Sequence, residues 1–228
     1  MRNSYITDPD SANPDRYQMV CDDWRLKFLA MDHQKLVDFF HLDQDDQAIY
    51  ITYYNIVYRV DKTTGMICRR DDPEKRLEFD TIIAIYNLFY YHKDSAQVRG
   101  VFVPYRQVRR AAPFAPAFEK SVMNTLAAGF SGHLDQFIKA SEKLGGRRDK
   151  EGDASFVYDA FSCMPVKAVF WDGDDEFPAQ AQVLFDADIT EYLHEETVVC
   201  IGGGLISRLF EEADLPEEQT RMTRSKLI

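Results

Sequence analysis

At 228 residues the chain is long enough for one sizeable hydrophobic core, and its 45% apolar and 13% aromatic residues argue against disorder of the whole. A formal charge of −11, with a pI near 4.9, sets up a field that repels phosphate, so neither nucleic acid nor an anionic membrane is an expected partner. The start, MRNSYITDPD, lacks a secretory pattern and no apolar run approaches the ~20 residues that span a bilayer, so a cytoplasmic location is expected.

Residues 1–14 read as an N-terminal extension, with Asn13 suited to an N-cap and Pro14 to the first helical position. Tyr17, Val20, Trp24, Phe28 and Leu29 then recur at helical spacing. Asp32 opens a second, short helix. The stretch AIYITYYNIVYRVDKTTGMICRR is rich in β-branched and aromatic residues and predicts two or three antiparallel strands, with Asp61 to Gly65 as a hairpin loop. Leu77, Ile82, Ile85, Leu88 and Phe89 form an apolar helical stripe. Gly100 to Pro104 is extended, and one or two helices fill Ala117 to Leu144, interrupted at Gly129 to Gly132. Residues 145–153 carry a linker composition and are a candidate subdomain break, read here as a loop leading to the last strands of the sheet. Strands follow at Ala154–Tyr158, Val166–Trp171 and Ala179–Phe185, then a final helix from Leu205 to Ala213 and a polar tail over 214–228. Elements grouped in runs imply an α+β fold, a single domain over 15–213 with helices packed on a mainly antiparallel sheet.

Four places could carry chemistry. Asp172, Asp174, Asp175 and Glu176 lie between two strand-like runs, and Asp172-Gly173 is a turn dipeptide. The preferred reading is a solvated hairpin turn or partner surface. Asp172, Asp174 and Glu176 could instead hold a hard cation, but Phe177 stands where a calcium loop needs glycine and Val183 where it needs the closing glutamate. A third reading uses Asp174 and Glu176 as catalytic carboxylates of a metal-assisted hydrolase or transferase, with Arg106 or Arg109 holding an anionic substrate.

Gly202, Gly203 and Gly204 follow an apolar strand-like run and precede a helical pattern, which resembles a phosphate-cradling turn for a cofactor. No strand or ribose-binding acid follows, so a glycine-rich bend for close packing is the preferred account. Asp38-x-x-His41 and Glu191-x-x-His194 have the spacing of a carboxylate–imidazole pair, without the helical bundle that di-iron sites need. Arg106, Arg109, Arg110, Arg147 and Arg148 either bind an anion or pair with the chain's own excess acids, the second being preferred. Cys21, Cys68, Cys163 and Cys200 are scattered and read as reduced thiols.

The stretches VKAVFWDGDDEFPAQAQVLFD, with Tyr192-Leu193, IYNLFYYHKDSAQVRGVFVPYRQV and LGGRRDKEGDASF together resemble an uncharacterised bacterial and archaeal domain-of-unknown-function family, the 3786 family. The resemblance covers most of residues 15–212, and Asp174-x-Glu176-Phe177-Pro178-Ala179 is its most specific part. It implies no established catalytic residues and no known cofactor. Some relatives carry an added cysteine-rich iron–sulphur segment of the type found in corrinoid proteins of one-carbon metabolism. This chain has no such cysteine cluster, so the resemblance implies that any such chemistry comes from an iron–sulphur or corrinoid partner protein. The expected function is a binding or accessory module, linked through that partner to anaerobic redox or one-carbon metabolism.

Overall fold

The computed structural model describes residues 14–215, so the expected cap Asn13, the remainder of the N-terminal extension and tail residues 216–228 lie outside the described residues. Helix α1 (Pro14–Leu29) leads into α2 (His33–Phe40), whose first free amides are capped by Asp32 through Lys35 N–H. Four strands then form an antiparallel meander: β1 (Asp43–Gln44), β2 (Ala48–Tyr53), β3 (Ile56–Asp61) and β4 (Ile67–Arg69).

Two of the three hairpin turns in this meander show what specifies them. Asp61 Oδ1 accepts from the amides of Thr63 and Thr64 at 3.0 and 2.7 Å and from the Thr64 hydroxyl at 2.9 Å, while Gly65 takes the left-handed conformation at φ +73°. The β2–β3 turn places Tyr54 and Asn55 at φ 44° and 60°, a two-residue reversal whose twist suits the strands but strains a bulky Tyr54. That strain is offset from outside the hairpin. Tyr54 N–H donates to Ala160 O at 3.0 Å and its hydroxyl to Ile201 O at 2.8 Å.

Helix α3 (Phe79–Tyr91) is buried continuously from Thr81 to Phe89, as an all-round apolar helix must be. Helix α1 covers it, with Trp24 edge-on to Tyr90 at 5.2 Å and Phe28 against Phe89 at 5.8 Å. After β5 (Phe102–Pro104) a helical run comprises α4 (Ala115–Phe118), a π-helical segment (Glu119–Met123) and α5 (Asn124–Phe130), followed by α6 (Leu134–Lys143).

The second sheet contains β5, β6 (Arg147–Asp149), β7 (Ala154–Phe161), β8 (Met164–Trp171) and β9 (Gln180–Asp186) in the order β5-β9-β8-β7-β6, every pair antiparallel. The α+β class expected from the sequence is therefore present, with its strands divided between two sheets rather than gathered into one. The Tyr54 turn docks on β7 by a single backbone bond and does not extend the ladder. Residues 147–149, expected as loop, form an edge strand with Arg147 opposite Val157.

The last helix, α7 (Thr197–Glu212), begins well before the expected Leu205. The run Val198, Val199, Ile201 is β-branched and looks strand-like, but Val198, Ile201, Leu205 and Leu209 repeat at helical spacing, and all four are buried. Gly202, Gly203 and Gly204 therefore lie in the interior of a helix and form no phosphate-cradling turn at its start. Each faces a different neighbour. A Cβ on Gly202 would meet Phe118 at 2.6 Å, one on Gly203 would meet Asp80 Oδ2 at 2.5 Å, and one on Gly204 would overlap the Tyr53 hydroxyl. Close packing, the preferred account of these glycines, is what they provide, without a bend.

This packing sets two effects against each other. Helix propensity alone favours alanine over glycine by about 1 kcal/mol, whereas forcing a methyl into a filled space costs about 1–3 kcal/mol. Gly204→Ala is expected to lower the free energy of unfolding measured in urea; a gain in stability would show that α7 is free to move away from Tyr53.

Candidate functional site

The acidic stretch forms the connection of the β8–β9 hairpin, which closes with Trp171 opposite Gln180. Two of its carboxylates are committed to the backbone. Asp172 Oδ1 accepts from Gly173 N–H at 2.8 Å and from Gly132 N–H at 2.7 Å, tying the hairpin to the end of α5. Asp172 N–H in turn donates to Asp153 Oδ2 at 2.8 Å. Asp174 Oδ1 accepts from the amides of Glu176 and Phe177 at 2.8 and 2.7 Å, and Asp174 N–H donates to Phe177 O at 2.9 Å. These donors, Phe177 first and then Glu176, hold the Asp174 carboxyl below the usual carboxylate range. Asp175 and Glu176 are exposed. Among the described residues, no three His, Cys, Asp or Glu side chains are grouped to hold a metal ion.

At the centre of this loop Phe177 is 62% exposed. An exposed aromatic ring that follows three acidic residues, on a loop whose shape is fixed by its own hydrogen bonds, can insert into an apolar recess with little further backbone ordering.

The other expected site residues lie apart from it. Arg106 is exposed on the single turn Tyr105–Gln107, and the carboxylate nearest Arg109 is Glu191 at 4.0 Å. Among the described residues neither arginine forms an ion pair with Asp172, Asp174 or Glu176. Arg147 pairs with Asp159 through two bonds of 2.6 and 2.9 Å, an instance of the internal pairing expected for the basic residues. Glu191 is engaged by Lys93 at 2.8 Å, His194 lies against Tyr91, Asp38 accepts from Gln34, and His41 ends α2 at φ 52°. The four cysteines are free thiols. An open concavity of about 570 Å³ is floored by Leu36, Phe39 and Phe89, and of the expected site residues Asp38 alone lines it.

A second polar constellation, missed in the sequence, lines the seam between α3 and α7. At one end Arg208, only 3% exposed, donates to the Tyr58 hydroxyl at 3.0 Å, to Thr81 Oγ1 at 3.2 Å and to Glu211 at 2.5 Å. Its Nε has no hydrogen-bond partner among the described residues. At the other end Thr197 Oγ1 donates to Asn87 Oδ1 at 2.7 Å. Between them the Cys200 thiol donates to the Asp80 carboxyl. Burial raises Asp80 to about 6; the thiol's hydrogen bond opposes the rise and Glu78 adds to it. Burial, followed by the Asp80 charge, keeps Cys200 protonated well above the ordinary thiol range. An acid in the first turn of an apolar helix and a cysteine within an apolar run both look ordinary, and only the fold brings them together.

One protein family has a sequence pattern that matches residues 32–208, from the cap of α2 to the buried arginine of α7. The chain belongs to the family described as Domain of unknown function (DUF3786). The DUF3786 match includes both sheets, the acidic hairpin and the α3–α7 seam; α1 precedes it. A search of the curated proteins and of the solved structures returns no match. No described helix is long and apolar enough to cross a membrane.

The hydrogen bonds of Asp174 set the loop's rigidity. In Asp174→Ala the amides of Glu176 and Phe177 are expected to exchange with solvent about tenfold faster or more, while Asp175→Ala leaves them unchanged. Equal exchange in the two variants, measured by hydrogen–deuterium NMR, would remove Asp174 as the loop's organiser.

Proposed function

We propose that this chain is a cytoplasmic binding or accessory module, a single domain over residues 15–213, whose partner surface is the tip of the β8–β9 hairpin. The observation that carries this reading is the 62% exposure of Phe177 on a loop fixed by Asp172 and Asp174. Interfaces draw most of their energy from a few aromatic or arginine anchors seated in pockets, and a ring carried on a backbone already fixed adds little backbone entropy cost on docking. Asp175 and Glu176 beside it steer towards a positively charged surface. The partner chemistry is thus a cationic patch around an apolar recess. The family resemblance suggests an iron–sulphur or corrinoid protein of anaerobic redox or one-carbon metabolism as its source.

A photo-crosslinking residue placed at position 177 tests this in extracts of the source cells, with the same group at the exposed Leu26 as control. A discrete adduct is expected at 177 only, weakened by salt and lost when Asp175 and Glu176 are both changed to lysine. An adduct pattern shared with position 26, or one indifferent to the charge reversal, would remove the hairpin as the partner surface.

A further inference from the structure

Helices α3 and α7 run in opposite directions and are sewn together by polar contacts: Asn87 with Thr197, Asp80 with Cys200, Thr81 with Arg208, and Glu78 with Ser207 at 2.5 Å. The Asn87–Thr197 contact is neutral, and the Arg208 contact includes a charge balanced close by. Arg208 is matched by Glu211, which also receives Arg69 and Lys75. Asp80 differs. From α7 it faces the Cys200 thiol and the bare Cα of Gly203, from β2 the Tyr53 hydroxyl lies beside it, and on its own helix the neighbouring charge is Glu78, another acid. From α1 the ring of Tyr17 packs on the adjacent Phe79 at 4.7 Å. No cation among the described residues pairs with this carboxyl. An ionised carboxylate pressed against a helix backbone without a counter-charge is unstable, whereas the neutral acid fits.

We propose that Asp80 is a proton-operated latch between α3 and α7, closed when it carries its proton and loosened when it gives the proton up. The group loses that proton near 6 in the fold and near 3.8 when unfolded. The folded state therefore binds the proton more tightly, so folding stability is gained as pH falls through this window and lost as pH rises. The loosened element is the first half of α7, which bears Cys200 and receives the Tyr53 and Tyr54 hydroxyls at its Cys200 and Ile201 carbonyls. The latch thus governs how firmly α7 is held against both α3 and the first sheet.

Two measurements test it. Hydrogen exchange across residues 197–204, corrected for the intrinsic pH dependence of exchange, should show protection falling about tenfold between pH 5 and pH 8 in the wild-type protein, with Asp80→Asn staying protected at both. A ¹³C titration of the Asp80 carboxyl should place its midpoint well above the ordinary aspartate range. Parallel exchange profiles in the two proteins, or a carboxyl that titrates like an exposed aspartate, would overturn the proposal. If Asp80→Asn does not fold, Cys200→Ala replaces it. Losing the thiol donor should move the carboxyl midpoint upward, and an unmoved midpoint counts against the latch.

Discussion

Successive residues of an α-helix point about 100° apart, so three glycines in a row clear three sides of α7 at once. Phe118, Asp80 and Tyr53 each use one of those sides. A helix that carried side chains there would keep α4, α3 and the first sheet further away. Without them the three come close to the α7 backbone, and the buried tyrosine hydroxyls reach carbonyls of that helix. The two separate sheets are held in one molecule partly through this shared contact.

Close approach has an electrostatic consequence. Polar groups drawn against the α7 backbone leave water, and each must find a partner or change its protonation. Arg208 solves this with Tyr58, Thr81 and Glu211. Asp80, which accepts from Cys200, does so by keeping its proton to a higher pH than an exposed aspartate. The acidic hairpin is the contrasting case, because its carboxylates remain at the surface and satisfy backbone amides there. The chain thus places one acid where ionisation is costly and several where it is not, and the two settings call for different roles.

Much of the fold was legible because period and turn chemistry agree locally. Asp32 as a cap, the Asp61–Gly65 loop and the alternation of Val183 and Phe185 with Gln180 and Gln182 are each encoded within a few residues. Gly202 to Gly204 were misplaced because glycine after a β-branched run signals a turn unless a long-range partner fills the space it leaves. Here the partners are Phe118, Asp80 and Tyr53, all far away in sequence. The division into two sheets was hidden for a similar reason: strand periodicity tells which faces are buried and says nothing about which strand is a neighbour. The hairpin carboxylates could be placed at a turn from sequence, but the bonds from Asp172 to Gly132 and from Asp174 to its own loop depend on the folded geometry.

The reversal at Tyr54 and Asn55 also bears on the order of assembly. Tyrosine is poorly suited to a left-handed backbone, so β2 and β3 gain little from their own connection and pair only weakly as an isolated ribbon. The bonds that hold Tyr54 come from Ala160 in the second sheet and Ile201 in the final helix, both contributed by the C-terminal part of the chain. The first sheet therefore acquires its finished shape late, after residues synthesised long afterwards have come back to meet it. A growing chain released before α7 is made would present β2 and β3 without the contacts that fix their turn.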